Sequence, residues 1–66
     1  MNLIVNGEAR DVEGAGTVAE LLAVFKLQHK ILVVELNREI IDRSHYEETK
    51  LTDGDRIEIV HFVGGG

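Results

Sequence analysis

Hydrophobic and polar residues alternate along the first twelve positions, with one interruption. Leu3 and Val5 stand two positions apart, Asn6-Gly7 follows, and Glu8 to Val12 resumes a strand-like pattern. Asn-Gly supplies the two positive φ angles that a type I′ turn needs. The segment therefore predicts a β-hairpin with Leu3 and Val5 on one face.

The hydrophobic spacing changes from strand-like to helical after Gly16. Thr17 and Glu20 have the spacing of a capping box, in which each side chain accepts a hydrogen bond from the other residue's free backbone N–H. An apolar stripe at i, i+3, i+4 and i+7 follows, made of Val18, Leu21, Leu22 and Phe25. This pattern predicts a helix from Thr17 to about Leu27 that packs on the sheet.

Two further strands are predicted after the helix. Ile31 to Leu36 is nearly all apolar, which is typical of a strand covered on both faces or lying in the centre of a sheet. Asn37-Arg38 then predicts a turn into a short strand, Glu39 to Ile41. The polar segment Asp42 to Lys50 is expected to be irregular. Tyr46 is expected to anchor it to the rest of the protein, and Leu51 is expected to anchor its other end.

The last strand follows a turn at Asp53-Gly54-Asp55 and runs from Arg56 to Phe62. Its alternation places Ile57 and Ile59 on one face. The other face carries Glu58, Val60 and Phe62.

The predicted order is strand, strand, helix, strand, short strand, strand. One amphipathic helix across a mixed sheet of four to five strands is the α+β arrangement called the β-grasp. Four-stranded α+β folds of other topology are also compatible with this order. We expect residues 1–63 to form this domain and residues 64–66 to be a flexible glycine tail.

Composition narrows the possible functions. The 66 residues include no cysteine, which excludes disulfides and thiolate sites, and the net charge of −5 disfavours nucleic-acid binding. The longest apolar run is far shorter than a membrane span, and no signal peptide is apparent, so we expect a cytoplasmic protein with no membrane partner.

Catalytic or metal sites are not predicted. His29, His45 and His61 lack the spacing of a metal site, and the acidic pairs Glu47-Glu48 and Asp53/Asp55 are interpreted as solvated charge.

Two features at the end of the chain remain open to more than one interpretation. The first feature is the outward-facing set Glu58, Val60 and Phe62. These residues could form a docking patch, they could be covered by a second layer or by a dimer partner, or they could be scattered exposed residues without a role. Gly64, Gly65 and Gly66 are either a frayed end or a tail without side chains that threads into another protein's active site. In the second case the only functional group delivered is the Gly66 carboxylate.

Five motifs together carry a family resemblance. The segments VNGE, TVAELL, VVELNREII, LTDGDRIEIV and the final GGG occur in order along the whole chain. The sequence resembles the ubiquitin-like ThiS/MoaD family, and within it the sulfur carriers of thiamin thiazole biosynthesis. The family often has a proline after the short strand, where this chain has Asp42 and contains no proline.

The resemblance implies a carrier protein rather than an enzyme, with no bound cofactor. An E1-like enzyme, ThiF, would adenylate Gly66 using ATP and magnesium. A cysteine desulfurase system would then supply sulfur for a thiocarboxylate, and thiazole synthase, ThiG, would receive it. By the same resemblance Gly64 and Gly65 thread the tail, and Val60 and Phe62, beside Glu58, dock on the adenylating enzyme.

Three alternatives remain at this point. The molybdopterin synthase small subunit shares the fold, the tail and the activation, although those chains tend to be longer. A ubiquitin-like modifier would form isopeptide bonds with lysines, and a plain binding domain would leave the tail inert.

Overall fold

One helix lies across one face of a five-stranded mixed sheet whose strand order is β2-β1-β5-β3-β4. The computed structural model describes residues 1–61. The strands are β1 (Asn2–Val5), β2 (Glu8–Asp11), β3 (Leu32–Leu36), β4 (Glu39–Ile41) and β5 (Arg56–His61), and the helix is α1 (Val18–Val24). This arrangement confirms the predicted α+β, β-grasp architecture. The predictions for Phe62, for the glycine tail and for a domain boundary at residue 63 lie outside the described residues.

The N-terminal hairpin forms as its turn sequence predicts. Asn6 and Gly7 have φ angles of 50° and 82°, so both adopt the left-handed conformation of the predicted turn. Leu3 and Val5 are buried on the helix side of the sheet, whereas all four residues of β2 are exposed.

The start of α1 is held by a variant of the predicted capping box. The Thr17 side chain accepts a hydrogen bond from the Glu20 backbone N–H at 3.2 Å, as predicted. The Glu20 carboxylate, however, accepts from the backbone N–H of Gly16 at 2.8 Å and not from that of Thr17.

The helix ends at Val24, three residues before the predicted end near Leu27. Lys26 adopts a φ of 61°, its N–H donates to the Ala23 carbonyl at 3.0 Å, and the Leu27 N–H donates to the Leu22 carbonyl at 2.7 Å. These two bonds form a Schellman motif, which usually contains glycine at the left-handed position. With lysine there, the sequence lacks the usual stop signal.

The expectation for the third strand is wrong in part. β5, and not β3, is the central strand, and Val34 is the one residue of β3 that is fully buried. Ile31 is 72% exposed and lies outside the strand. In the described chain α1 covers one face of the sheet, so Val33, which points to the other face, is only half-buried.

The hydrophobic core lies between α1 and the covered face of the sheet. The buried apolar residues of the described chain are Leu3, Val5, Val12, Ala15, Val18, Leu21, Leu22, Val34, Leu51, Ile57 and Ile59. Tyr46 packs against this cluster from the irregular segment, which contains a 3₁₀ turn at Arg43–His45. Tyr46 and Leu51 thus act as the predicted anchors.

Candidate functional site

The central strand β5 leads directly to the end of the chain. It pairs in parallel with β1 through Ile4↔Arg56 and Val5↔Ile57, and antiparallel with β3 along five residue pairs that end at Leu32↔His61. Gly66 follows His61 by five positions. The rigid sheet therefore determines where the last described residue stands.

The side chains of β5 alternate between the core and the opposite, open surface. Ile57 is fully buried and Ile59 is 8% exposed, whereas Glu58 is half-buried and Val60 is 55% exposed. The two-face prediction is confirmed for these four residues. Phe62, the third predicted member of the docking patch, lies outside the described residues.

Strand pairing surrounds the patch with residues that are distant in sequence. On β3, Val33 pairs with Val60 of β5 and Glu35 pairs with Glu58 of β5. Glu35 also pairs with Ile40 of β4, the strand on the opposite edge of β3. We call the surface formed by Val33, Glu35, Ile40, Glu58 and Val60 the outer face. The members on β3 and β4 could not be predicted from the sequence, because their proximity to β5 depends on strand register.

Asn6 holds β5 in place where β1 ends. Its backbone N–H donates to the Ile57 carbonyl at 2.9 Å, and its side-chain Oδ1 accepts from the Ile59 N–H at 2.7 Å. The side chain thus replaces the backbone partner that β1 no longer supplies. The sequence assigned Asn6 to the turn alone, yet it also supports the strand segment that carries Val60.

Replacing Asn6 by glycine tests this second role. Asn6→Gly keeps the positive φ angle but removes the acceptor for the Ile59 N–H, so we expect stability to fall by about 1 kcal/mol and amide exchange at Ile59 to accelerate. Hydrogen exchange and thermal unfolding measure both effects. Asn6→Asp keeps an acceptor oxygen and serves as the control; equal exchange at Ile59 in the two variants would contradict the assignment.

Carboxylates organise the turn before β5. Asp55 accepts hydrogen bonds from the Thr52 N–H at 2.8 Å and from the Asn37 side-chain amide at 3.0 Å. The Asn37 Oδ1 in turn accepts from the Arg56 N–H at 3.0 Å, and Asp53 accepts from the Asn2 N–H at 2.6 Å. The predicted turn is confirmed, but the interpretation of Asp53 and Asp55 as merely solvated charge is wrong.

The electrostatics of Asp55 follow from these contacts. Partial burial opposes its ionisation, but the hydrogen bonds from Asn37 and Thr52 outweigh burial, so the pKa of Asp55 lies below its ordinary value. A carboxyl group whose pKa is lowered by folding stabilises the fold above its unfolded pKa, near 3.9, and this stabilisation is lost as pH falls through the folded pKa.

Asp55→Asn should therefore reveal a pH-dependent contribution. We expect the variant to lose about 1 kcal/mol of stability at neutral pH, with the difference from the unmodified chain shrinking as the pH falls below about 4. Urea unfolding across that pH range measures the effect. Glu47→Gln is the control, because the exposed Glu47 carboxylate makes no hydrogen bond or ion pair with residues 1–61; a pH-independent difference for Asp55→Asn would exclude this origin.

Potential metal ligands do not cluster within residues 1–61. His29, His45 and His61 are exposed and separate, and no cluster of three potential metal ligands occurs in this part of the chain. On the helix side of β5, the Arg10 guanidinium lies 5.5 Å from the centroid of the Phe25 ring and lines a groove of about 220 Å³. No helix among the described residues is long and apolar enough to cross a bilayer.

Comparison with known proteins connects this architecture to one family. The model of the ThiS family matches residues 3–66. Over 51 residues, which are 77% of each chain, the sequence is 57% identical to the sulfur carrier protein ThiS of Bacillus subtilis. The fold also matches the crystal structure of the thiamine biosynthesis protein ThiS from Geobacter metallireducens. This match spans all of both chains, with a TM-score of 0.83 and 43% sequence identity.

A second kind of relative is a larger protein. The whole chain is 41% identical to a segment of the thiazole synthase of Paramagnetospirillum magneticum, but it spans only 20% of that protein. The family model covers nearly the entire chain, and the solved structure shares its fold. The chain therefore belongs to the ThiS family.

Proposed function

We propose that this protein is a sulfur carrier of thiamin biosynthesis that donates sulfur to thiazole synthase. The observation that carries the proposal is the family match over residues 3–66, which includes the terminal glycines. The protein serves as a co-substrate and not as a catalyst. The alignment of the whole chain with a thiazole synthase supports that enzyme as the acceptor.

The sulfur is held on the Gly66 carboxylate. A free carboxylate is a poor electrophile, so an E1-like enzyme of the ThiF type first activates it with ATP and magnesium. A carboxylate oxygen attacks the α-phosphorus of ATP and pyrophosphate leaves. The terminal sulfur of a persulfide, supplied ultimately by a cysteine desulfurase, then attacks the carbonyl carbon, and AMP leaves with the electron pair of the broken C–O bond. A thiol of the sulfur-donor system then attacks the donor-side sulfur of the resulting acyl disulfide, so that the S–S bond breaks, the donor is left as a disulfide and Gly66 keeps the thiocarboxylate.

The tail and the folded domain have separate tasks in this scheme. Gly64 and Gly65 have no side chains, so this segment can enter a narrow channel and bring Gly66 to the partner's active site. Glu58 and Val60 on the outer face, together with Phe62, dock on the adenylating enzyme. The chain contains no cysteine whose thiol could attack the activated carbonyl.

Intact-protein mass spectrometry tests the proposal. The protein is incubated with its cognate adenylating enzyme, ATP, magnesium and a sulfur source, and the expected product has one oxygen of the Gly66 carboxylate replaced by sulfur. Fragmentation locates the change on the last residue. Adenylation without sulfur incorporation, or no change at all, would refute the carrier function.

The loaded protein also distinguishes a thiamin carrier from the two alternatives, a molybdopterin synthase small subunit and a covalent modifier. Transfer of the sulfur to thiazole synthase, with none to the molybdopterin synthase large subunit, supports the thiamin assignment, which the names of the relatives favour. Isopeptide conjugates that depend on Gly66 would instead indicate a covalent modifier.

A further inference from the structure

The outer face carries two carboxylates directly opposite each other. Glu35 on β3 and Glu58 on β5 are partners in the antiparallel ladder, and both are half-buried. Arg56 lies two positions before Glu58 on the same face of β5, but within residues 1–61 neither carboxylate has a lysine, arginine or histidine nitrogen within 4.0 Å. Like charges at opposite positions of neighbouring strands destabilise a sheet. By this rule the pair is expected to weaken the isolated fold.

Exposed aliphatic side chains frame this acidic pair. Ile40, opposite Glu35 on the edge strand β4, is 72% exposed, and Val60, next along the face from Glu58, is 55% exposed. Val33 lies opposite Val60 and is half-buried. Aliphatic groups around a polar centre are a feature of protein interfaces, where they exclude water and strengthen the electrostatic contacts inside.

We infer that the outer face docks a partner surface presenting an arginine or lysine between apolar side chains, with that cation bound by Glu35 and Glu58 together. This inference rests on the proposed function and names the chemistry that the carrier requires of the adenylating enzyme. A cation between the carboxylates converts their repulsion into two charge-assisted hydrogen bonds. The net charge of −5 favours the same kind of partner.

Charge also disfavours a second copy of this chain as the occupant. A twofold symmetric dimer through the outer face would bring the Glu35 and Glu58 carboxylates of one copy against those of the other. Four carboxylates would then share one interface, and burying them together would be unfavourable. A partner with a basic centre has no such penalty.

The test exploits opposite effects on stability and binding. Glu35→Gln removes the repulsion, so we expect the melting temperature to rise by about 2–5 °C. The same change removes half of the cation site, so the Kd for the purified cognate adenylating enzyme should increase about tenfold at ionic strengths near 0.05 M. This difference in affinity should shrink as salt is added.

Glu47→Gln is the matched control, because it changes the net charge equally but lies on the helix side of the molecule, where Glu47 lines a cavity with Ala19. It should leave the Kd within about twofold of the unmodified value. Isothermal titration calorimetry provides the affinities, and sulfur incorporation into the unmodified chain is measured alongside as an independent check of the proposed function.

The outcomes distinguish the two claims. If the unmodified chain acquires sulfur but Glu35→Gln binds as tightly as Glu47→Gln, the docking inference is overturned and the carrier function stands. If the unmodified chain acquires no sulfur, the carrier function fails, while weaker binding of Glu35→Gln would still support the docking chemistry. A dimer that Val60→Asp dissociates, or no binding by the unmodified chain, would overturn the inference.

Discussion

Deletion of Gly65 and Gly66 is expected to abolish sulfur incorporation completely while leaving the fold intact. The reason is chemical, because the carboxylate that becomes activated would end two residues short of the partner's active site. The buried core of the described chain extends only from Leu3 to Ile59, so the folded domain retains its packing. Mass spectrometry measures the sulfur, and thermal unfolding measures the stability.

Binding to the adenylating enzyme supplies the control for this deletion. The shortened chain keeps Glu58 and Val60 on the outer face, so it should still bind and should compete with the unmodified chain for the enzyme. Sulfur on the shortened chain would contradict the role of the glycine pair. A decrease in melting temperature beyond a few degrees would show that the deleted residues contribute to the fold.

Ile57→Ala should have the largest effect on stability. Ile57 is fully buried on the central strand, where it pairs with Val5 of β1 and Leu36 of β3. Truncating a buried isoleucine costs about 2–5 kcal/mol through lost burial and the cavity left behind. The free energy of unfolding of a small domain can be as low as about 5 kcal/mol. Much of the variant should therefore be unfolded at 37 °C, as circular dichroism and urea titration would report.

Val60→Ala, on the same strand, is the matched control with the opposite expectation. Val60 is 55% exposed on the outer face, so its truncation should change stability by less than about 1 kcal/mol. Affinity for the adenylating enzyme should nevertheless decrease. Equal losses of stability in the two variants would mean that the faces of β5 are assigned incorrectly.

Much of the fold could be predicted because its strongest signals are local. Asn6-Gly7 requires two positive φ angles that few dipeptides tolerate, and the structure has both. The stripe from Val18 to Phe25 matches the helical repeat and packs on the sheet. The alternation of Ile57 and Ile59 with their neighbours likewise identified the buried face of the last strand.

The errors occur where long-range packing overrides a local pattern. The apolar run that contains β3 resembles a strand covered on both sides, but within residues 1–61 the sheet is covered by α1 on one side. The helix stops at Val24 because Lys26 enters the left-handed conformation, and lysine has no strong preference for it. Neither outcome has a local sequence signal.

The candidate site shows the same division. Glu58 and Val60 could be identified as outward-facing residues because strand alternation is a property of the chain itself. Glu35 and Ile40 could not be linked to them, because a cross-strand neighbour is defined by register between segments that are distant in sequence. The second role of Asn6 was equally hidden, since it depends on where β1 ends beside β5.

The sequence by itself therefore determined the elements of this protein, the two faces of its last strand and, through its motifs, the family to which it belongs. Turn chemistry, periodicity and motif order are carried by neighbouring residues, so no folded structure is needed to detect them. Only the tertiary structure decided which strand is central, how Asp55 and Asn6 secure it, and that Glu35 lies opposite Glu58. Those features arise when distant segments pair, and the pairing is set by burial of the shared core on one face of the sheet.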